Sequence, residues 1–160
     1  MSAQLMDGKA LAAQKKAAIR AEVERLARTP GLAVVLVGEN PASQIYVRGK
    51  ARDCEECGIR CMDFRLPAQT TESELLTLIA ELNGRADVDG ILVQLPLPEG
   101  IRERRVLEAI APEKDVDAFH PENVGRLVQG QARYLPCTPA GVMELLRTAA
   151  LAETLEHAYA

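Results

Sequence analysis

Residues 31–50 read GLAVVLVGENPASQIYVRGK, and their order decides the fold. Leu32–Val37 is an unbroken β-branched and aliphatic run ended by Gly38, the pattern of a strand buried on both faces. Asn40-Pro41 breaks the chain. A helix is expected from about Ala42 to Cys57, closed by Gly58 as its C′ residue.

Outward from this unit the alternation repeats. Upstream, about Asp7 to Arg28 reads as a helix, with Asp7 as N-cap, Ile19, Val23 and Leu26 on one stripe, and Pro30-Gly31 as the stop. Downstream, Ile59–Leu66 alternates weakly and is expected to be an edge strand. Thr71–Asn83 is expected to be a helix: Thr70 and Thr71 are cap candidates, Glu74 lies at capping-box spacing from Thr71, and Leu75, Leu78, Ile79 and Leu82 form a stripe. Gly90–Leu95 reads as a second buried strand, ended by Pro96-Leu97-Pro98. Ile101–Ile110 is expected to be a short helix, and Pro112–Val128 a loop-rich stretch with one or two short extended pieces. Thr138-Pro139 then opens a last helix, with Thr138 as N-cap and Pro139 at N1. The prediction is an α/β fold: a three-layer α/β/α domain whose mostly parallel sheet is covered on both faces.

Composition narrows the function. The 160 residues carry a net charge of −4 and a pI near 5.3, which gives no basic field for nucleic acid or anionic membranes. Three tyrosines and two phenylalanines leave little for base stacking. No run of about 18 apolar residues exists to span a bilayer. The first residues lack the apolar core of a secretory signal, so a cytoplasmic location is expected, with Cys54, Cys57, Cys61 and Cys137 as free thiols. Cys54-x-x-Cys57-x-x-x-Cys61 lacks a nearby fourth ligand, which favours small buried hydrophobes over zinc. No metal is expected.

The eleven glycines never fall two apart, so G-x-G-x-x-G is absent, and no Walker-type phosphate loop occurs. His120 and His157 are accompanied by neither H-E-x-x-H nor G-x-S-x-G. Proton transfer then falls to Lys, Tyr, Asp or Glu. Tyr46 and Lys50 lie four apart on a helix that starts at the carboxyl end of a buried strand, where open α/β sheets bind ligands. A partly desolvated lysine there is an acid–base candidate, and a solvated lysine over a half-buried tyrosine is the plainer alternative. Gln94 ends the second buried strand, where its amide can bond a ligand or a lysine, or merely cap the sheet. Asp115 and Asp117 lie in EKDVDAFHP, where a carboxylate can take two parallel N–H donors from a planar heterocycle or serve as a turn cap.

Four stretches together resemble one family, the bifunctional methylenetetrahydrofolate dehydrogenase/methenyltetrahydrofolate cyclohydrolases. They are GLAVVLVGENPASQIYVRGK (31–50), VDGILVQLPLP (88–98), PEKDVDAFHPENVGRL (112–127) and PCTPAGVMELL (136–146), in the family's order and spacing. The resemblance implies Lys50 as catalytic acid/base, Tyr46 stacking on and orienting the folate, and Gln94 tuning Lys50. It further implies Asp117 holding the pterin amino and ring N–H groups, with Leu95 and Pro96 lining the substrate. In such enzymes hydride passes from 5,10-methylenetetrahydrofolate to NADP or NAD, and water then opens the methenyl cation to 10-formyltetrahydrofolate.

The sequence departs from the family in two places. The family usually has glycine where Ala118 stands; a positive φ there would strain the loop that carries Asp117. After GVMELL the family continues into a nucleotide-binding domain, whereas this sequence reads on to ALAETLEHAYA, which resembles the family's closing C-terminal helix. The expected division is therefore a folate-binding catalytic domain over 1–148 and a closing helix over 149–160, joined as one helix from about Pro139 to His157. The resemblance then implies a chain without the dehydrogenase step, with weak cyclohydrolase activity at most and no bound nucleotide. It also implies a monomer where full-length relatives are homodimers. The alternatives are a non-catalytic folate-binding module and an engineered domain-excision scaffold.

Overall fold

Successive residues of β1 (Gly31–Val37) face opposite sides of a parallel sheet, and each side has its own core. This is seen in a computed structural model, which describes residues 6–148. Ala33, Val35 and Val37 pack with Leu75, Ile79, Leu82, Val106 and Ile110 on one side. Val34 and Leu36 pack with Val47 and Leu92 on the other. A strand clamped between two apolar layers cannot alternate with polar residues, so the LAVVLV run follows from the topology.

β1 is the centre of a three-stranded sheet of order β2-β1-β3, with β2 at Arg60–Leu66, β3 at Gly90–Val93 and both pairings parallel. One face carries α3 (Glu72–Gly84) and α4 (Glu103–Ala109); the other carries α2 (Pro41–Cys57). α1 (Gly8–Val23) is tied to α2 by Lys16, which bonds Asp53 at 3.2 Å and also pairs with Glu56. α5 (Pro121–Val128) and α6 (Cys137–Thr148) complete the described elements. The three-layer α/β/α expectation stands, and β2 is the edge strand.

Several local signals act as read. Asp7 accepts from Ala10 N at 2.9 Å as the cap of α1. Thr71 and Glu74 form the reciprocal capping box of α3. Gly58 ends α2 at φ +75°, a left-handed conformation that glycine adopts without Cβ strain.

Several boundaries differ, among them that of α4, which runs over Glu103–Ala109 and not from Ile101 to Ile110. α1 stops at Val23 and none of its residues is buried; short-range bonds from Arg25 N to Glu22 O and from Leu26 N to Val23 O replace the helical ladder, and Leu26 is 55% exposed. β3 ends at Val93, two residues early, because Gln94 N still reaches Val35 O but the following Pro96 has no N–H to offer. Residues 121–128, expected within a loop-rich stretch, form α5: His120 Nδ1 accepts from Glu122 N at 3.1 Å, and Pro121 stands at N1. α6 begins at Cys137, with Ala140 N bonded to Pro136 O, so Thr138 lies inside the first turn and is not its cap. The continuation of α6 from Thr148 towards His157 lies outside the described residues.

Candidate functional site

The carboxyl ends of β1 and β3 deliver the candidate residues to one place. β1 passes through Gly38 into α2, and Lys50 sits midway along that helix, half-buried. β3 runs directly into Gln94, also half-buried. Lys50 Nζ donates to Gln94 Oε1 at 3.2 Å, and Gln94 Nε2 donates to the Leu95 carbonyl at 2.8 Å. The second bond orients the first: with its N–H spent on Leu95, the amide turns its oxygen to the lysine. Tyr46, one turn before Lys50 on the same face of α2, is 65% exposed and presents its ring to solvent. Leu95 is half-buried and contributes this carbonyl, while Pro96 is exposed beyond it.

Asp117 faces the same place from the segment between α4 and α5. Burial pushes its carboxyl above the usual aspartate range; the positive charge of Lys50 opposes that shift, and the neighbouring Asp115 adds to it. Cys137, at the start of α6, joins them. Although Cys137 as a whole is exposed, partial withdrawal of its thiol from water raises it, the Asp117 charge raises it further, and Lys50 draws it down. Lys50, Asp117 and Cys137 therefore share one electrostatic field. The sequence reading gave Cys137 no place here, although PCTP among the resembling stretches was the available signal.

The segment carrying Asp117 is pinned at nearly every residue. Lys114 Nζ donates to the carbonyls of Leu82, Asn83 and Arg85 at 2.7–3.2 Å, closing the carboxyl end of α3. Ile91 N donates to Lys114 O at 2.7 Å, which fastens the segment to β3. Asn83 and Tyr134 hold Ala111 N and Glu113 O respectively. Gly90 leaves room for Val116: a Cβ at position 90 would lie 2.5 Å from Val116 Cγ1. Ala118 is fully buried at φ +58°, the left-handed region, which is where the departure from glycine bears its strain.

Cys54 and Cys57 are buried; desolvation pushes the Cys54 thiol up to about 12. Among the described residues no group of three or more His, Cys, Asp or Glu is placed to hold a metal ion, and no helix is long and apolar enough to cross a membrane. A dinucleotide does not fit the first βα turn either. Asn40 Oδ1 takes Ser43 N at 3.1 Å and Pro41 occupies N1, so the helix end that would cradle a pyrophosphate is already capped.

A parallel α/β domain that gathers a lysine, an amide and a carboxylate at its strand ends belongs to the ligand-binding open-sheet class. The catalytic domain of tetrahydrofolate dehydrogenase/cyclohydrolase matches residues 6–117. The bifunctional protein FolD of Nitratidesulfovibrio vulgaris is 62% identical over 146 residues, covering 89% of this chain and 51% of the relative. That of Magnetococcus marinus is 54% identical over 160 residues, covering 98% and 56%. Among solved structures, the FolD methylenetetrahydrofolate dehydrogenase/cyclohydrolase of Campylobacter jejuni superposes with a TM-score of 0.90 at 49% identity, over 92% of this chain and 54% of that one. The Trypanosoma brucei dehydrogenase-cyclohydrolase, solved with NADP cofactor and inhibitor, gives 0.88 at 37% identity, over 94% and 53%. The chain belongs to the tetrahydrofolate dehydrogenase/cyclohydrolase family. It spans about half the length of the curated relatives it matches.

Proposed function

We propose that this domain, over residues 1–148, binds a reduced folate between α2 and the Asp117 segment and hydrolyses its methenyl form slowly through Lys50. The observation that carries the reading is the Lys50 Nζ–Gln94 Oε1 bond at 3.2 Å, with Asp117 within electrostatic reach of the same lysine. Asp117 accepts the pterin amino and ring N–H in parallel, and the exposed Tyr46 ring supplies the stacking face. Leu95 and Pro96 border the bound ligand. Water adds to the methenyl carbon and the neutral amine of Lys50 takes one of its protons. The ammonium so formed returns that proton to the departing ring nitrogen as the C–N bond breaks. The hydroxyl proton of the adduct passes to solvent as the formyl C=O forms, so that cation and water give the formyl product and one released proton.

Hydride transfer to NADP or NAD, the other half of the family's chemistry, is assigned to no residue here. The rate is set low because Tyr46 stands in water, and an unwalled site orients substrate poorly. That same exposure favours a second reading, a folate-binding module without turnover. A monomer in the cytoplasm is the proposed working state; a stable dimer on sedimentation would count against it.

Calorimetric titration with tetrahydrofolate tests the folate reading. Saturable binding is expected, weakened about tenfold or more by Asp117→Asn, the magnitude of a lost charge-assisted hydrogen bond. No binding, or equal binding by the variant, would overturn it.

A further inference from the structure

Asp115 lies two residues before the proposed pterin-binding carboxylate and is 1% exposed. A carboxylate so deep in a protein needs donors, and here they come from residues beyond Asp117 in the chain. Asp115 Oδ2 accepts His120 N at 2.8 Å and Asn123 Nδ2 at 2.9 Å; its main-chain carbonyl accepts Ala118 N at 3.2 Å. The bonds from Ala118 and His120 close the chain into a ring whose tip is Val116-Asp117, and they hold Ala118 in its positive-φ conformation. Asn123, with no exposed surface, braces the far side by donating also to Pro112 O at 2.8 Å. Asp117 itself makes none of these bonds. Its carboxylate is left for a ligand, and the rigidity around it comes from Asp115.

We propose that Asp115 is the positioning residue of the folate site: its side chain clamps His120 N and Asn123 so that Asp117 is aimed before ligand arrives. The proposal rests on the folate reading of Asp117. A clamp of this kind lowers the ordering cost of binding, because the loop is fixed in advance. In the clamp the carboxylate serves as an acceptor of two N–H groups, and its charge reaches Asp117 only as the last of the influences on that carboxyl. Asparagine, whose Oδ1 can take the same two donors, therefore replaces it, whereas alanine cannot.

The test uses the 160-residue chain with tetrahydrofolate as probe and two variants, Asp115→Ala and Asp115→Asn. Titration should show Asp115→Ala binding about tenfold or more weakly and Asp115→Asn within about twofold of the unsubstituted chain. Binding unchanged by Asp115→Ala, or weakened equally by both, overturns the clamp while leaving the folate reading in place. No binding by the unsubstituted chain overturns the folate reading and this inference with it. Since Asp115→Ala removes a buried group and can fail to fold, hydrogen exchange on the unsubstituted chain decides independently. The amides of His120 and Ala118 should be protected without ligand and unchanged by tetrahydrofolate. Free exchange that slows only on ligand addition overturns pre-positioning.

Discussion

Lys50 Nζ and Gln94 Oε1 meet at 3.2 Å across the boundary between a helix and a strand end, 44 residues apart in sequence. Neither residue alone fixes that contact. α2 brings the lysine because β1 ends beside it, and the Leu95 carbonyl turns the amide so that oxygen, the only group that can accept from an ammonium, faces inward.

Asp117 is held where its charge costs the fold stability. Its carboxyl is raised above the ordinary value of 3.8, by burial first and by Asp115 next, against the pull of Lys50; Cys137 faces it from α6. A raised aspartate destabilises the fold once ionised. That cost is absent below the unfolded-state pKa and complete above the folded one. Asp117→Asn should therefore raise the denaturation midpoint at pH 7 while weakening folate binding, with the stability gain fading as pH falls through the acid range. A lower midpoint for the variant at pH 7 contradicts the assignment.

Glu72 behaves oppositely. Arg102, followed by Arg105, holds its carboxyl at about 2, below the ordinary 4.5. The contribution is present above about pH 4.5 and is lost as pH falls through about 2. Glu72→Gln should lower the urea midpoint at neutral pH, by an amount that solvent screening keeps small, and the two curves should converge in strong acid.

Gly90 admits Val116, so Gly90→Ala should push back the segment that carries Asp117. A Cβ 2.5 Å from Val116 Cγ1 and 3.2 Å from Leu32 Cδ1 requires a shift. The expected loss is about 1–3 kcal/mol in equilibrium unfolding. Adding Val116→Ala should recover part of it. Strict additivity of the two substitutions would show that the clash is relieved elsewhere.

At Ala118, φ +58° sets left-handed strain of about 1–2 kcal/mol against a buried methyl worth about 0.8 kcal/mol. Ala118→Gly should be neutral to slightly stabilising. Ala118→Val, β-branched and without space, should cost more than about 2 kcal/mol by denaturant unfolding. A valine variant as stable as the parent would contradict the left-handed assignment.

Much of this was legible in the sequence because each signal had a local cause. LAVVLV marks a strand buried on two faces, Gly58 a left-handed helix end, and Thr71 with Glu74 a capping box, all of which the structure contains. The resemblance also anticipated that Ala118 would matter if its φ were positive, and it is. What escaped reading depended on contacts distant in sequence or on an overlooked cap. α5 was hidden because residues 112–128 read as loop-rich and His120 was not read as a cap, whereas its ring caps the helix that Pro121 opens. The stripe of Ile19, Val23 and Leu26 pointed to a longer, buried α1, yet the helix stops at Val23 and Leu26 is exposed. The candidate site divides the same way. Helical spacing put Tyr46 and Lys50 on one face, and the strand pattern put Gln94 at a strand end, but the plainer alternatives stayed open until the resemblance chose between them. The clamp of Asp115 on His120 and Asn123 exists only once α5 has folded back.

The central claim is that Lys50 carries hydrolysis in this domain, and the loss of methenyltetrahydrofolate absorbance without any nucleotide tests it most directly. The chain, its Lys50→Ala variant and buffer are compared at one pH. The account predicts decay faster than buffer for the chain and a fall to the buffer rate for Lys50→Ala, as expected when an acid–base group worth about 10²-fold or more is removed. Equal decay in the chain and the variant would contradict it.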